Sequence, residues 1–185
     1  MVTKPLFTTI SAGKYKGKKI ALPSLDSTRS TKAILKGSLF DSLQYDIVDE
    51  VFVEVFGGSG SMGLEALSRG AKHAYFIEKN KAAYQTLKSN CKIIDEAHTT
   101  PLQGDSFVLF PTLLSSLLSK AYFYFDPPFS IREGMEDIYQ KVIDLIASIP
   151  VDKMHLIVIE HMSTLALPEQ IGVYTLQKTK KFGNS

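Results

Sequence analysis

The hydrophobic pattern from residue 51 onward alternates between short apolar runs and longer segments of helical spacing. The short runs are rich in β-branched and aromatic residues and predict buried β-strands. They are VFVEVF (51–56), HAYFIE (73–78), TTPLQ (99–103), AYFYF (121–125) and HLIVIE (155–160). Helices are predicted for the segments between them, 61–70, 81–94, 106–120 and 135–148. This alternation predicts an α/β fold with a mostly parallel, doubly wound sheet and helices on both faces.

The N-terminal part of the chain departs from this rhythm, whereas the C-terminal part continues it. Residues 8–23, TTISAGKYKGKKIALP, predict two short strands around a Gly/Lys turn, and residues 30–43 predict a helix with its apolar side chains on one face. After the fifth strand, the pattern predicts a short helix around 164–170 and a further strand over 173–177. We therefore expect a small N-terminal extension ahead of an α/β core.

The balance of basic and acidic side chains differs between the N-terminal extension and the α/β core. Residues 1–40 carry eight Lys or Arg side chains and one acidic side chain, whereas residues 41–177 carry ten basic and eighteen acidic ones. A basic arm on an acidic body suits an anionic partner, but a solvated surface of uneven charge gives the same pattern, and both interpretations stay open at this point. We divide the chain into a basic extension, residues 1–45, and an α/β domain, residues 46–185.

Composition excludes several protein classes. The single cysteine, Cys91, excludes an internal disulfide and a Cys-rich zinc site, and its place in a helical pattern suits a buried apolar side chain. The histidines are scattered without metal-ligand spacing, so no metal is expected. No apolar stretch approaches the ~18 residues that span a bilayer, and the N-terminus lacks a signal-peptide core. We expect a soluble, cytoplasmic monomer with no membrane contact.

A glycine-rich loop follows the first core strand directly. In GGSGSMG (57–63), Gly58, Gly60 and Gly63 match the pattern G-x-G-x-x-G, which allows a tight turn and close approach of a ligand to a helix N-terminus. Glu78 ends the next strand, where a carboxylate can accept hydrogen bonds from both hydroxyls of a ribose. The arrangement serves NAD and S-adenosylmethionine alike, and a glycine-rich turn without any ligand has the same pattern.

Two further acids favour S-adenosylmethionine over a dinucleotide. Glu54 lies in the strand just before the loop, where it would face an ammonium group and repel a pyrophosphate. Asp105 follows the third strand, where it would accept a hydrogen bond from an adenine amino group. Each acid also has an interpretation that needs no ligand. Glu54 is then a charge that faces the edge of the sheet, and Asp105 caps the helix that begins at Ser106.

The fourth core strand ends in Asp126-Pro127-Pro128-Phe129. We expect this strand to lie next to the first one, at the point of the sheet where ligands of α/β proteins bind. A carboxylate and a proline carbonyl can accept both hydrogens of an exocyclic amine, and an aromatic ring can stack on the base that carries it. Positioning the amine nitrogen in line with a sulfonium methyl would then supply most of the catalysis.

The segments that carry these features resemble a known family. They are ISAGKYKGKKIALP (10–23), RSTKAILKGSLFDSL (29–43), FGGSGSMGLEALSRGA (56–71), IEKN (77–80), GDS (104–106) and FDPPF (125–129). Together they resemble the bacterial RsmD-type enzymes, which use S-adenosylmethionine to methylate the N2 amine of a guanine in 16S ribosomal RNA. The resemblance implies a Rossmann-like class I methyltransferase fold, S-adenosylhomocysteine as a product and 16S rRNA as partner, either naked or within an assembling 30S subunit.

The resemblance also implies roles for individual residues. Cofactor contacts are expected at Glu54, Phe56, Gly57, Gly58, Ser59, Gly60, Glu78, Lys79, Asp105 and Ser106. Binding of the target amine and catalysis are expected at Asp126, Pro127 and Phe129. Further substrate contacts are expected at Lys14, Lys16, Lys18, Lys19, Arg29 and Pro128.

This chain departs from the family pattern at several positions. Glu54 stands where the family usually has Asp, and Gly57 stands where Ala is common. The Arg-Pro-Thr leader of the family is Arg29-Ser30-Thr31 here. The family continues into a last antiparallel strand beyond KKFGNS, so we expect the final hairpin of the sheet to be incomplete in these residues.

Three alternatives to rRNA methylation remain. A DNA adenine-N6 or cytosine-N4 amino-methyltransferase shares Asp-Pro-Pro-Phe but usually carries a separate target-recognition domain, for which 185 residues leave little room. A nicotinamide-dependent oxidoreductase shares the glycine pattern but has no use for Asp126. A ribosome-assembly factor with a relict cofactor pocket would need neither Glu78 nor Asp126.

Overall fold

The computed structural model describes residues 6–23, 29–128 and 137–183, with residues 29–31 described by their backbone alone. In chain order, the elements are β1 (Leu6–Thr9), β2 (Lys19–Leu22), α1 (Arg29–Leu43), β3 (Val51–Glu54), α2 (Ser61–Ser68), β4 (His73–Glu78), α3 (Lys81–Asp95), β5 (Thr99–Gln103), α4 (Ser106–Ser116), β6 (Ala121–Phe125), α5 (Ile138–Ala147), β7 (Met154–Ile159), β8 (Gln170–Ile171) and β9 (Tyr174–Thr175).

The central sheet has five strands in the order β5-β4-β3-β6-β7, and all its neighbours pair in parallel. The strand that precedes the glycine loop, β3, therefore lies in the middle, between β4 and β6. Strand order reverses at β3, because the chain moves outward to β4 and β5 and then returns to β6 on the other side. The predicted parallel sheet and the predicted pairing of β6 with β3 are confirmed.

Two apolar clusters cover the two faces of the sheet. On one face, Phe52 and Phe76 pack with Leu64 of α2 and Leu87 of α3. On the other face, the core is formed mainly from α4, α5 and alternate strand residues, namely Val53, Phe110, Phe123, Val142 and Ile146. Adjacent residues such as Phe52 and Val53 point to opposite faces, so both faces are covered, as a doubly wound sheet requires. Within the described part of the chain, no helix has the length and apolar character needed to cross a membrane.

The structure corrects the prediction for the C-terminal region. Residues 164–170 form no helix, since Pro168 lacks a backbone donor and disfavours a helical conformation in the residue before it. The strand predicted over 173–177 is instead a short antiparallel hairpin of β8 and β9 around Gly172, whose φ is +58°. This hairpin is separate from the five-stranded sheet.

The N-terminal segment packs on the face of the sheet that α2 and α3 cover. The strands β1 and β2 form the predicted antiparallel hairpin, and Ile10, Ile20 and Phe40 are fully buried in the same cluster as Phe52. The side chain of Asn90 on α3 also holds β2, since it accepts a hydrogen bond from the N–H of Ala21 and donates one to the carbonyl of Ala21. The segment is thus joined to the α/β core by apolar and polar contacts.

The carboxylate of Glu65 on α2 is the polar centre of this junction. It is fully buried and accepts hydrogen bonds from the backbone N–H groups of Ser11 and Ala12, and from the Ser11 hydroxyl. Its oxygens lie 3.2 Å from Nζ of the buried Lys36 on α1 and 3.0 Å from Nε of Arg69. Burial raises the pKa of Glu65, but the hydrogen bonds from Ser11 and the charges of Lys36 and Arg69 outweigh it, and the pKa lies below its usual value. Glu65 is therefore ionised and connects the hairpin, α1 and α2.

Replacing this carboxylate should be strongly destabilising. In Glu65→Gln the shape is kept but Lys36 loses its buried counter-charge, so we expect a loss of about 3–5 kcal/mol in the free energy of unfolding, measured by urea denaturation. The control is Asp41→Asn, which removes the other carboxylate bound to Arg69 from a side chain that is 74% exposed; it should cost less than about 1 kcal/mol. Equal small losses in both variants would contradict this account of the junction.

Candidate active site

The carboxyl ends of β3, β4, β6 and β7 meet at one edge of the sheet, and an acidic residue stands at or directly after each of them. These residues are Glu54, Glu78, Asp126 and Glu160. A cavity at this edge is lined both by the loop that follows β3 and by the residues that end β6 and β7. The predicted cofactor residues that line this cavity, together with the predicted target residue Asp126, are Glu54, Phe56, Gly57, Gly58 and Ser59. Among the described residues, the predicted cofactor and target residues that are not among its lining residues are Gly60, Glu78, Lys79, Asp105, Ser106, Pro127 and Pro128.

The glycine loop has the geometry that its sequence predicts. Gly58 and Gly60 have φ values of +52° and +79°, in the left-handed region that favours glycine, and Gly60 is the N-cap of α2. Gly63 lies against β4, where an added Cβ would be 2.4 Å from Cε1 of Phe76. The first two glycines thus shape the turn, and the third allows the helix to pack closely on the sheet.

Glu78 is held across the mouth of this loop. One carboxylate oxygen accepts a hydrogen bond of 2.8 Å from the N–H of Gly58, and the other accepts one of 2.7 Å from the N–H of Asn80. Each oxygen can accept a further hydrogen bond. The carboxylate is therefore positioned rather than mobile, with acceptor capacity left for a ligand such as a ribose.

Asp105 has the capping role that was one of its two predicted roles. Its Oδ1 accepts a hydrogen bond from the N–H of Phe107 at the start of α4, and its Oδ2 lies 2.7 Å from Nζ of Lys79. The hydrogen bond from Lys79 is the main cause of the lowered pKa of Asp105.

The hydroxyl of the buried Ser106 donates to the carbonyl of Val55, and the ring of Phe56 packs edge-on against Phe107. Ser106 thus ties α4 to the residue that follows β3.

Glu54 is a buried carboxyl group beside the loop. It is 5% exposed and accepts a hydrogen bond of 2.8 Å from the N–H of Gly63. Burial raises the pKa of Glu54 to about 8, and the negative charge of Asp126 adds to the increase, while the Gly63 hydrogen bond opposes it. The group is therefore largely protonated at neutral pH and would ionise when a cation binds beside it.

Asp126 follows β6 with a side chain that is 22% exposed, and Nζ of Lys32 lies 3.3 Å from its Oδ2. Pro127 is buried and Pro128 is exposed. The predicted stacking residue, Phe129, lies outside the described residues. Lys32 comes from α1, so the N-terminal extension reaches the predicted catalytic carboxylate.

Sequence reasoning missed part of the cavity lining. Lys32, Lys36, Tyr124 and Glu160 all line the cavity, but none was predicted as a site residue. The sequence does contain a signal for Glu160, because this acid directly follows a mainly apolar strand, as Asp126 does. Lys32 and Lys36 lie on a helix far away in the sequence, and only the tertiary structure brings them to the sheet edge.

The lysines predicted to contact substrate lie elsewhere. Lys16, Lys18 and Lys19 are exposed on the β1–β2 hairpin, and none of them is among the described residues that line the cavity. Lys14 pairs with Asp95 at 3.5 Å and lies near the amino ends of β3 and β4, at the opposite edge of the sheet. The side chain of Arg29 is outside the described part of the chain. Any contact of these lysines with a large substrate would therefore be made away from the cavity.

The described residues support neither a metal site nor a cysteine nucleophile. Among the described residues, no group of three or more His, Cys, Asp or Glu side chains is arranged to hold a metal ion. Burial raises the pKa of the Cys91 thiol to about 12, so this side chain is a packed core residue rather than a nucleophile, as its helical position predicts.

The fold and the site define a protein class. A five-stranded parallel core with its order reversing at β3, a glycine loop after β3 and an acid at the end of β4 form the Rossmann-like class I methyltransferase fold. A family model described as "Conserved hypothetical protein 95" matches residues 8–185. The chain belongs to this family, that of the RsmD-type methyltransferases, which confirms the resemblance seen in the sequence.

Individual relatives agree with this assignment. The chain is 27% identical over 175 residues to "Putative rRNA methyltransferase YlbH" of Bacillus subtilis (strain 168), covering 94% of this chain and 93% of the relative. It is 34% identical over 130 residues to "Ribosomal RNA small subunit methyltransferase D" of Escherichia coli (strain K12), covering 68% of this chain and only 61% of that protein. A solved structure, "Putative methyltransferase yhhF from Escherichia coli", superposes with a TM-score of 0.71 at 26% identity and covers 97% of this chain and 94% of its own.

The raised pKa of Glu54 should make stability depend on pH. Between the usual value of 4.5 and about 8, the folded protein holds a proton that the unfolded chain has released, so the free energy of unfolding falls as the pH rises. Glu54→Gln keeps an acceptor for Gly63 but cannot ionise. Between pH 5 and 8.5 we expect the wild type to lose about 2–4 kcal/mol relative to this variant in urea denaturation. The control is the exposed Glu169→Gln, and a wild type that parallels Glu54→Gln at both pH values would refute the assignment.

Proposed function

We propose that this protein transfers a methyl group from S-adenosylmethionine to the exocyclic N2 amine of a guanine in small-subunit ribosomal RNA. The observation that carries the proposal is one cavity in which the glycine loop after β3 faces Asp126 at the end of β6. The relatives named as rRNA methyltransferases support RNA as the substrate class.

The described residues fit S-adenosylmethionine. The cofactor supplies an electrophilic methyl group on a positively charged sulfur. Glu78 would accept from the ribose hydroxyls, Asp105 from the adenine amino group, and Glu54 would ionise to pair with the ammonium. Phe56, Gly57 and Ser59 would shape the wall around the cofactor, and Gly60 would set the turn into α2. Lys79 and Ser106 would hold Asp105 and α4 in place.

Asp126 and Pro127 would prepare the nucleophile. The lone pair of an aromatic amine is delocalised into its ring, so the nitrogen is weakly nucleophilic. If the Asp126 carboxylate and the Pro127 carbonyl accepted its two N–H groups, the nitrogen would become pyramidal and therefore more nucleophilic. The cofactor would supply the methyl group and be released as S-adenosylhomocysteine, and the Asp126 carboxylate would accept the proton that the amine gives up.

The basic extension would supply general affinity for the RNA backbone. We propose that residues 1–45 bind RNA and that residues 46–185 carry out methyl transfer, with the hairpin lysines contacting phosphates at a distance from the reacting base. Lys14, Lys16, Lys18, Lys19 and Arg29 would serve this role, while Pro128 and Phe129 would adjoin the base. We propose that the protein acts as a cytoplasmic monomer on 16S rRNA or on an assembling 30S particle.

Two substitutions should separate chemistry from cofactor binding. Asp126→Asn removes the charge that accepts the amine, so methyl transfer to 30S particles should fall at least about 100-fold while calorimetric affinity for S-adenosylmethionine changes little. Glu78→Gln should instead weaken cofactor affinity about tenfold or more, because it removes a charged acceptor. Asp46→Asn, an exposed acid away from the cavity, is the matched control. Normal methyl transfer by Asp126→Asn would refute the proposal.

A further inference from the structure

Glu160 stands next to the residues proposed to hold the target amine. It directly follows β7, which pairs in parallel with β6, and its backbone N–H donates a hydrogen bond of 2.8 Å to the carbonyl of Phe125, the residue before Asp126. Its side chain is 6% exposed and lines the same cavity as Asp126. The ends of two adjacent strands therefore present two carboxylates to one space.

One oxygen of Glu160 is held by a neighbour, and the other is available. The hydroxyl of Tyr124, which is 2% exposed, donates a hydrogen bond of 2.5 Å to Oε2. Within the described part of the chain, Glu160 takes part in no ion pair and Oε1 accepts no hydrogen bond. Oε1 is not one of the buried polar atoms that lack a partner, so it is accessible from the cavity that Glu160 lines. A carboxylate oxygen in this position can accept a hydrogen bond from an N–H or O–H group of a bound molecule.

The topology indicates which ligand supplies this donor. The cofactor residue Glu78 ends β4, on one side of β3, whereas Asp126 and Glu160 end β6 and β7, on the other side. The donor that meets Glu160 should therefore come from the target base and not from the ribose of the cofactor.

We propose that Glu160 reads the target base by accepting a hydrogen bond from the ring N1–H of guanine while Asp126 and Pro127 hold its N2 amine. This inference rests on the proposed function. Guanine has two donors side by side on one edge, which matches the two adjacent carboxylates. In adenine and cytosine, the ring nitrogen next to the exocyclic amine is an acceptor, and a carboxylate at that place would repel it. Glu160 thus makes the site selective for guanine, with Tyr124 as its positioning residue.

The test compares guanine with 2-aminopurine, which keeps the 2-amino group but has an acceptor at N1. The methylated nucleotide is first mapped by mass spectrometry on small subunits treated with wild-type protein. Small subunits are then reconstituted with rRNA in which a synthetic segment carries either base at that position. For the wild type we expect kcat/KM for guanine to exceed that for 2-aminopurine by about 10-fold to 100-fold.

Glu160→Gln should change this preference. Its amide can donate to an N1 acceptor, so the ratio of kcat/KM for guanine to that for 2-aminopurine should fall at least about tenfold, with cofactor affinity unchanged. Glu50→Gln is the matched control, because Glu50 pairs with His155 outside the cavity. Tyr124→Phe should reduce kcat/KM for guanine severalfold and keep the preference for guanine.

The outcomes are distinct. Mapping that finds no N2-methylguanine refutes the proposed function itself. If N2-methylguanine forms but the Glu160→Gln ratio equals that of the wild type, the role of Glu160 is refuted, and an equal loss on both bases indicates a structural role only and also refutes it. Should Glu160→Gln fail to fold, the wild type alone decides, since equal rates on guanine and 2-aminopurine would exclude a carboxylate at N1.

Discussion

The buried ionic cluster around Glu65 determines what the N-terminal extension can contribute to the site. Glu65 holds the hairpin through Ser11 and holds α1 through Lys36. Lys36 lies one helical turn after Lys32, so fixing Lys36 inside the protein also places the amine of Lys32 at the Asp126 carboxylate. The extension is therefore part of the wall of the cavity as well as a basic arm, and the contacts of Glu65 that hold it also keep Lys32 beside Asp126.

The second constraint is the concentration of negative charge at one edge of the sheet. Four of the five core strands end at or next to an acid, and like charges placed so close must be relieved. Each acid is relieved differently: Glu54 by protonation, Glu78 by two backbone N–H groups, Asp126 by Lys32, and Glu160 by the Tyr124 hydroxyl. The site accordingly tolerates its acids without ligand while retaining acceptors for one.

The features that could be predicted from the sequence are those that depend on residues close together in the chain. Four of the five core strands are mainly apolar runs, and the glycine loop combines three glycines with a following helix, so local pattern was enough. The helix predicted around 164–170 was wrong because Pro168 outweighs the apolar periodicity. Lys32 and Lys36 were not predicted in the site, since their position depends on Glu65 and on packing across the sheet. The place of Lys14 was also beyond local pattern, because it depends on the pairing with Asp95.

The acidic edge also bears on the cofactor class. A dinucleotide would bring two negatively charged phosphates to the glycine loop, next to Glu54, Asp126 and Glu160. Ionising Glu54 is already unfavourable in the free protein, because burial, with a smaller contribution from the charge of Asp126, raises its pKa to about 8. An added anion would increase that cost. A sulfonium with an ammonium group has the opposite effect, because it stabilises the ionised form of Glu54. The same charges that a nicotinamide dinucleotide would have to overcome thus favour S-adenosylmethionine, and the donor-rich edge of guanine suits the acids that remain.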